Sequence, residues 1–125
     1  MYKREEPFRF QFNQPLHGAF KILRINNISE ESKAGTADIL DLSPNGLRFK
    51  TKLNLPIDKK RFLIEITFLL NDKLIRILGE PKWKKIEGSS FVYGFTGLDD
   101  TETKKEVIEG LKEFTKKIYL QEKNK

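Results

Sequence analysis

A carboxylate and a hydroxyl two residues apart, Asp41 and Ser43, stand just before the turn sequence Pro44-Asn45-Gly46. On an extended strand, residues i and i+2 share a face. The pair therefore offers a strong acceptor beside a group that both donates and accepts, a chemistry that suits a planar polar edge such as that of guanine. The same side chains also commonly bond their own turn backbone, and taken alone this stretch favours that purely local role. Gly46 lets the backbone turn without a side chain blocking the site. Upstream, Arg4 and Arg9 bracket an acidic pair and a proline in Lys3-Arg4-Glu5-Glu6-Pro7-Phe8-Arg9. A guanidinium binds phosphate bidentately, reads the O6/N7 edge of guanine, or stacks on its face.

These groups need elements to hold them. Residues 36–40 and the alternating run Leu47-Arg48-Phe49-Lys50-Thr51 flank the turn and predict a hairpin. Leu47, Phe49 and Thr51 fall on one face, opposite the basic row Arg48, Lys50 and Lys52, which would lend positive potential near a phosphate. Phe8, Phe10 and Phe12 alternate with polar residues in a segment that Pro15 should end. A strand follows over residues 19–25, with Ala19, Leu23 and Ile25 on one face and Phe20 and Ile22 on the other. Residues 26–33 read as a polar loop, and Leu55-Pro56-Ile57-Asp58 as a bend. Residues 62–70 alternate as a strand with Phe62, Ile64, Ile66, Phe68 and Leu70 on one face. Asn71-Asp72 turns the chain into a long strand over residues 73–85, where Pro81 implies an edge or a bulge. Glu87-Gly88-Ser89 turns it again into residues 90–96. Thr103 and Glu106 have capping-box spacing. Val107, Ile108, Leu111, Phe114 and Ile118 then form the apolar stripe of a helix over residues 101–119, placed to seal a barrel end, with Gly110 allowing close packing.

Composition narrows the function. The chain has 125 residues, 24 Lys and Arg against 18 Asp and Glu, and a net charge of +6, which favours phosphates, nucleic acid or acidic membrane surfaces as partners. No cysteine and one histidine, His17, leave no evident Ser-His or Cys-His pair and no metal-ligand spacing. No glycine-rich phosphate loop is present, and Asp99-Asp100 reads as the acidic start of a helix. The expectation is a non-enzymatic binding domain without a resident cofactor or metal. The absence of a membrane-length apolar run or a signal-peptide pattern points to a cytoplasmic protein without membrane insertion.

The arginines ahead of Asp41-x-Ser43-x-x-Gly46, together with Trp83 in a later strand, the run Phe91-Val92-Tyr93-Gly94-Phe95 and the closing helix, resemble the PilZ family of cyclic di-GMP receptors. The resemblance covers most of the chain. Four residues separate Arg4 from Arg9 where the family has three, which puts Glu5 at the family's first arginine position. It implies an all-β-dominated fold, a small antiparallel β-barrel with one C-terminal amphipathic helix. The expected organisation is a single domain over residues 1–125: a flexible N-terminal arginine segment (1–12), the barrel (13–98) and the helix (101–119). It also implies a cyclic di-GMP site at Arg4, Arg9, Asp41, Ser43 and Gly46, and a protein effector that reads the bound state, with no DNA partner. The alternative is a degenerate barrel that binds a protein and no nucleotide. A third reading, a single-strand nucleic-acid platform built on Phe8, Phe10 and Phe12, requires those rings to be exposed.

Overall fold

The computed structural model describes residues 9–29 and 34–123. Seven strands, β1 (Phe10–Ile25), β2 (Ile28–Ser29), β3 (Ala34–Ser43), β4 (Gly46–Thr51), β5 (Phe62–Leu70), β6 (Lys73–Glu87) and β7 (Ser90–Gly97), precede one helix, α1 (Thr101–Lys123). All pairings are antiparallel, in the order β2-β1-β3-β4-β7-β6-β5, and β5 pairs back onto β1. The sheet is therefore a closed barrel of six strands with the short β2 as an appendage, and closure removes most of the free edge that an open sheet would carry.

Alternation builds the core. Phe62, Ile64, Ile66, Phe68 and Leu70 of β5 all point inward, as do Leu47 and Phe49 of β4. They meet Phe20, Ile22, Ile39, Leu42, Ile75, Ile77, Tyr93 and Phe95 from the other strands. The buried Tyr93 hydroxyl donates to the Leu53 carbonyl at 2.6 Å and accepts from the Leu55 N–H at 2.7 Å, fixing the loop after β4 across the barrel. Burial pushes the Tyr93 phenol above its ordinary value.

Three hairpins use left-handed turn residues. Asn26 and Asn27 both have positive φ, as do Asn71 and Asp72, and Gly88 takes φ +63°. The Asn26-Asn27 turn joins β1 to β2, so the polar loop expected over 26–33 begins as a tight hairpin. Pro15 does not end the first segment: β1 runs through it, and the register against β3 slips between Gln11 and Leu16. The extra residues bulge out, so the missing proline N–H costs the ladder nothing. Phe10 and Phe12, assigned from sequence to the N-terminal segment, accordingly belong to the first barrel strand. Phe20 and Ile22 face the core whereas Ala19 is exposed. Pro81 lies at a second irregularity, between Pro81 and Trp83 where β6 meets β7.

The helix is capped by Asp100 and not by the expected Thr103–Glu106 box. Asp100 Oδ1 accepts the Glu102 N–H at 3.1 Å, and Thr103 Oγ1 donates to Oδ2 at 2.8 Å. These bonds hold the exposed Asp100 carboxyl below the ordinary aspartate range, the Thr103 hydroxyl contributing most. Val107 and Leu111 are buried against the barrel, and Phe114 packs edge-on against Phe10 and Phe12 with ring centroids 5.5 and 5.4 Å away. Gly110 lets the helix approach Leu70, whose Cδ2 would lie 2.6 Å from an added Cβ, and its carbonyl accepts from Asn71 Nδ2 at 2.8 Å. The apolar stripe thus seals the barrel as its spacing predicts.

Candidate functional site

The two-residue turn Pro44-Asn45 fixes the local register: Ser43 opposite Gly46, Leu42 opposite Leu47, Asp41 opposite Arg48. Leu42 and Leu47 fill the core, which puts Asp41 and Arg48 on the outer wall of the barrel. Across the neighbouring strands the row continues, from Gln11 of β1 through Asp41 and Arg48 to Gly94 of β7 and Trp83 of β6. These five positions line an open cleft of about 390 Å³, with Arg9, Lys82 and Thr96 at its margins. That size is in the range of ligand clefts.

Asp41 is the hub. Its side chain is only 3% exposed although it lies on the outer wall. Arg9 Nη1 donates to Oδ1 at 2.9 Å, the Arg48 N–H donates to Oδ1 at 3.0 Å, and Arg48 Nε donates to Oδ2 at 2.7 Å. A register slip between Ile39 and Asp41 in β3 lets the carboxylate reach the Arg48 N–H and its side chain together. Burying a carboxylate is costly unless it is paired and hydrogen-bonded, and here both conditions are met. Asp41 engages one side-chain nitrogen of each guanidinium, and among the described residues no other acceptor is hydrogen-bonded to the remaining N–H donors of the two arginines.

Trp83 lies across Gly94. A Cβ on Gly94 would collide with the indole Nε1 and Cε2, so glycine is the residue that admits the ring. The indole is 45% exposed and forms a flat wall of the cleft.

Of the five residues singled out from sequence, Arg9 and Asp41 are in direct contact in this cleft. Ser43 and Gly46 are not among its lining residues. The Ser43 hydroxyl, buried, donates to the Gly46 carbonyl at 3.2 Å, so it serves the turn. Gly46 does not take positive φ; what it provides is clearance, since a Cβ there would strike the Phe95 carbonyl oxygen of β7. Arg4, with Lys3, Glu5 and Phe8, lies outside the described residues. His17 is an exposed strand residue 3.2 Å from Asp38. The buried Phe12 and the half-buried Phe10, both engaged by Phe114, provide no stacking platform for nucleic acid. Sequence reasoning gave Arg48 only a diffuse electrostatic role and did not place Trp83 in the site. Both were signalled by hairpin arithmetic: turns at 44–45 and 88–89 put Arg48 opposite Asp41 and Trp83 opposite Gly94.

No family model matches the chain, and no curated protein sequence does. The fold has a solved counterpart. The structure is similar to the PilZ domain with c-di-GMP of YcgR from Escherichia coli, with a TM-score of 0.64 over 98% of each chain, at 13% sequence identity. The closed six-stranded antiparallel barrel with its C-terminal helix is a PilZ-like fold.

Proposed function

We propose that the chain is a cyclic di-GMP receptor whose ligand lies in the cleft between Arg9, Arg48 and Trp83. The observation that carries this reading is the Asp41 carboxylate holding two guanidiniums side by side on an otherwise solvent-facing wall. Arg9 and Arg48 supply bidentate donors for a phosphate or for the O6/N7 edge of guanine. The exposed indole of Trp83 supplies a face on which a purine stacks. In this reading Arg48, from β4, takes the part expected of Arg4, and the four-residue Arg4–Arg9 spacing loses its importance. Asp41 acts by orienting the arginines, because both lone pairs of Oδ1 and one of Oδ2 already accept from Arg9 and Arg48. Arg9 immediately precedes β1, so ligand contact there acts on the point where the chain enters the barrel, and a protein effector reads the result. The c-di-GMP named with the YcgR domain supports the choice of ligand by analogy of fold.

Isothermal titration with cyclic di-GMP, with GMP and cyclic di-AMP as controls, tests the proposal. Saturable, selective binding that weakens at least about tenfold in Arg9→Ala and in Arg48→Ala is expected, the loss of a charge-assisted hydrogen-bonding group. Full-affinity binding by both variants would move the site elsewhere. No binding at all would leave the barrel as a protein-interaction module.

A further inference from the structure

β6 loses its β5 partner after Gly79, yet it runs on to Glu87 paired only with β7. Among the described residues no strand lies along its other side. This edge reads Lys82-Trp83-Lys84-Lys85-Ile86. Ile86 is 70% exposed and Trp83 nearly half exposed, two large apolar side chains three residues apart on one edge. By register, Trp83 and Lys85 stand with Gly94 and Val92 on one face, and Lys84 and Ile86 with Tyr93 and Phe91 on the other. Lys84 donates to Asn54 Oδ1 and to the Leu55 carbonyl at 2.6 and 2.9 Å, so Ile86 marks one side of the edge and Trp83 with Lys85 the other.

The acids nearby are already neutralised. Glu87 pairs with Lys50 at 2.9 Å, and Glu80 pairs with Arg61 and Lys82, each at 3.0 Å. Both carboxyls are held below their ordinary value, chiefly by the hydrogen bonds from Lys50 and from Lys82 respectively. An added strand is a poor occupant for this edge. Pro81 offers no N–H, the register slips between Pro81 and Trp83, and lysines crowd the remainder, the devices that discourage edge pairing. A planar surface meeting the edge end-on would touch side chains from both faces at once.

We propose that this edge docks peripherally on an anionic lipid surface. Trp83 and Ile86 enter the boundary between headgroups and acyl chains, and Lys85 lies against lipid phosphates, Lys82 being paired with Glu80. The net charge of +6 provides the long-range attraction, and no helix is long and apolar enough to cross a membrane, so the contact is peripheral. The inference shares Trp83 with the cleft of the nucleotide reading, but its test is made without nucleotide and on Lys85 and Ile86, which lie outside that cleft.

Trp83 is the only tryptophan of the chain, so its own emission reports docking. The full chain is titrated with phosphatidylcholine vesicles with and without phosphatidylglycerol. A saturable blue shift with the anionic vesicles alone, reversed by salt, is expected. The double substitution Lys85→Glu with Ile86→Ser should weaken it at least about tenfold, since each basic residue at an anionic surface carries a several-fold effect. Lys73→Glu, a charge reversal at the opposite end of β6, should weaken it by less than about threefold. Should the double variant fail to fold by circular dichroism, Lys85→Glu alone serves. Equal losses in the edge variant and in Lys73→Glu would reduce the attraction to diffuse charge and overturn the proposal. Absence of vesicle binding would overturn it too, including where an acidic protein is found to need Lys85.

Discussion

Replacing Asp41 by alanine should destabilise the fold as well as the site, a consequence that a purely ligand-reading carboxylate would not have. The substitution removes three hydrogen bonds, of 2.7, 2.9 and 3.0 Å, from a side chain that is almost wholly buried. Breaking a fully buried ion pair costs about 3–5 kcal/mol. Here the arginine side chains are 45% and 33% exposed, so their freed donors can return to water and the cost falls. The Arg48 N–H, fixed in the wall of the barrel, has less recourse and carries the penalty of a partly unsatisfied donor. A loss of about 2–3 kcal/mol follows. For a chain of 125 residues this lowers Tm by about 8–12 °C and the urea midpoint by roughly 1–2 M. Urea titration followed in parallel by Trp83 emission and far-ultraviolet circular dichroism measures it, and coincident curves license the two-state analysis. A midpoint within about 0.3 M of the native protein, together with lost nucleotide affinity, would refute the hub role and return Asp41 to direct contact with the base.

Gly46→Ala should cost about 2 kcal/mol or more, because the Phe95 carbonyl that its Cβ strikes is backbone and cannot turn aside without parting β4 from β7. Chemical denaturation reads the loss, and a stability equal to native would mean that the strands are less closely apposed. Gly94→Ala drives the indole off its seat. The expected signature is a red-shifted Trp83 emission, stronger quenching by acrylamide and weaker cyclic di-GMP binding, while an unchanged spectrum counts against the stacked arrangement. Asp100→Ala should lower Tm at pH 7, and the sign of its pH dependence is fixed. The folded carboxyl titrates below the unfolded one, so the capping contribution is present above about pH 4–5 and is lost as pH falls through the folded value. Melting curves of native protein and variant should therefore converge in acid, and a gap that widened there would contradict the cap. Phe114→Ala should cost about 2 kcal/mol by emptying the ring cluster with Phe10 and Phe12, less than for a fully buried ring, as thermal melts would show.

The elements were legible because their signals are local. The alternation of β5 matched its observed bounds, and the Asn71-Asp72 turn was evident from residue type. The helix starts at Thr101 as expected, but its cap is Asp100 and not Thr103, since each has the chemistry to bond an open helix end. Sequence spacing alone does not rank them. The tolerance of β1 for Pro15 was less accessible. Whether a proline ends a strand or sits in a bulge depends on whether the partner strand resumes pairing beyond it, and that partner is β3, far along the chain.

For the site the division is sharper. Once the turns at 44–45 and 88–89 are recognised, the sequence by itself determines that Asp41 faces Arg48 and that Trp83 faces Gly94, because a two-residue turn leaves one register. It does not determine that these two pairs lie in one row. That depends on β4 pairing with β7, which sets Arg48 beside Gly94, and on β1 bringing Arg9 onto Asp41 from 32 residues away. No turn links those strands. Their register is set by closing the barrel on β1 and β5, by the bulges that absorb the mismatch, and by which side chains then fill the interior. The tertiary structure also decided what Gly46 does, since clearance from Phe95 matters only when β7 lies alongside, whereas the Ser43 bond to the Gly46 carbonyl is local to the turn.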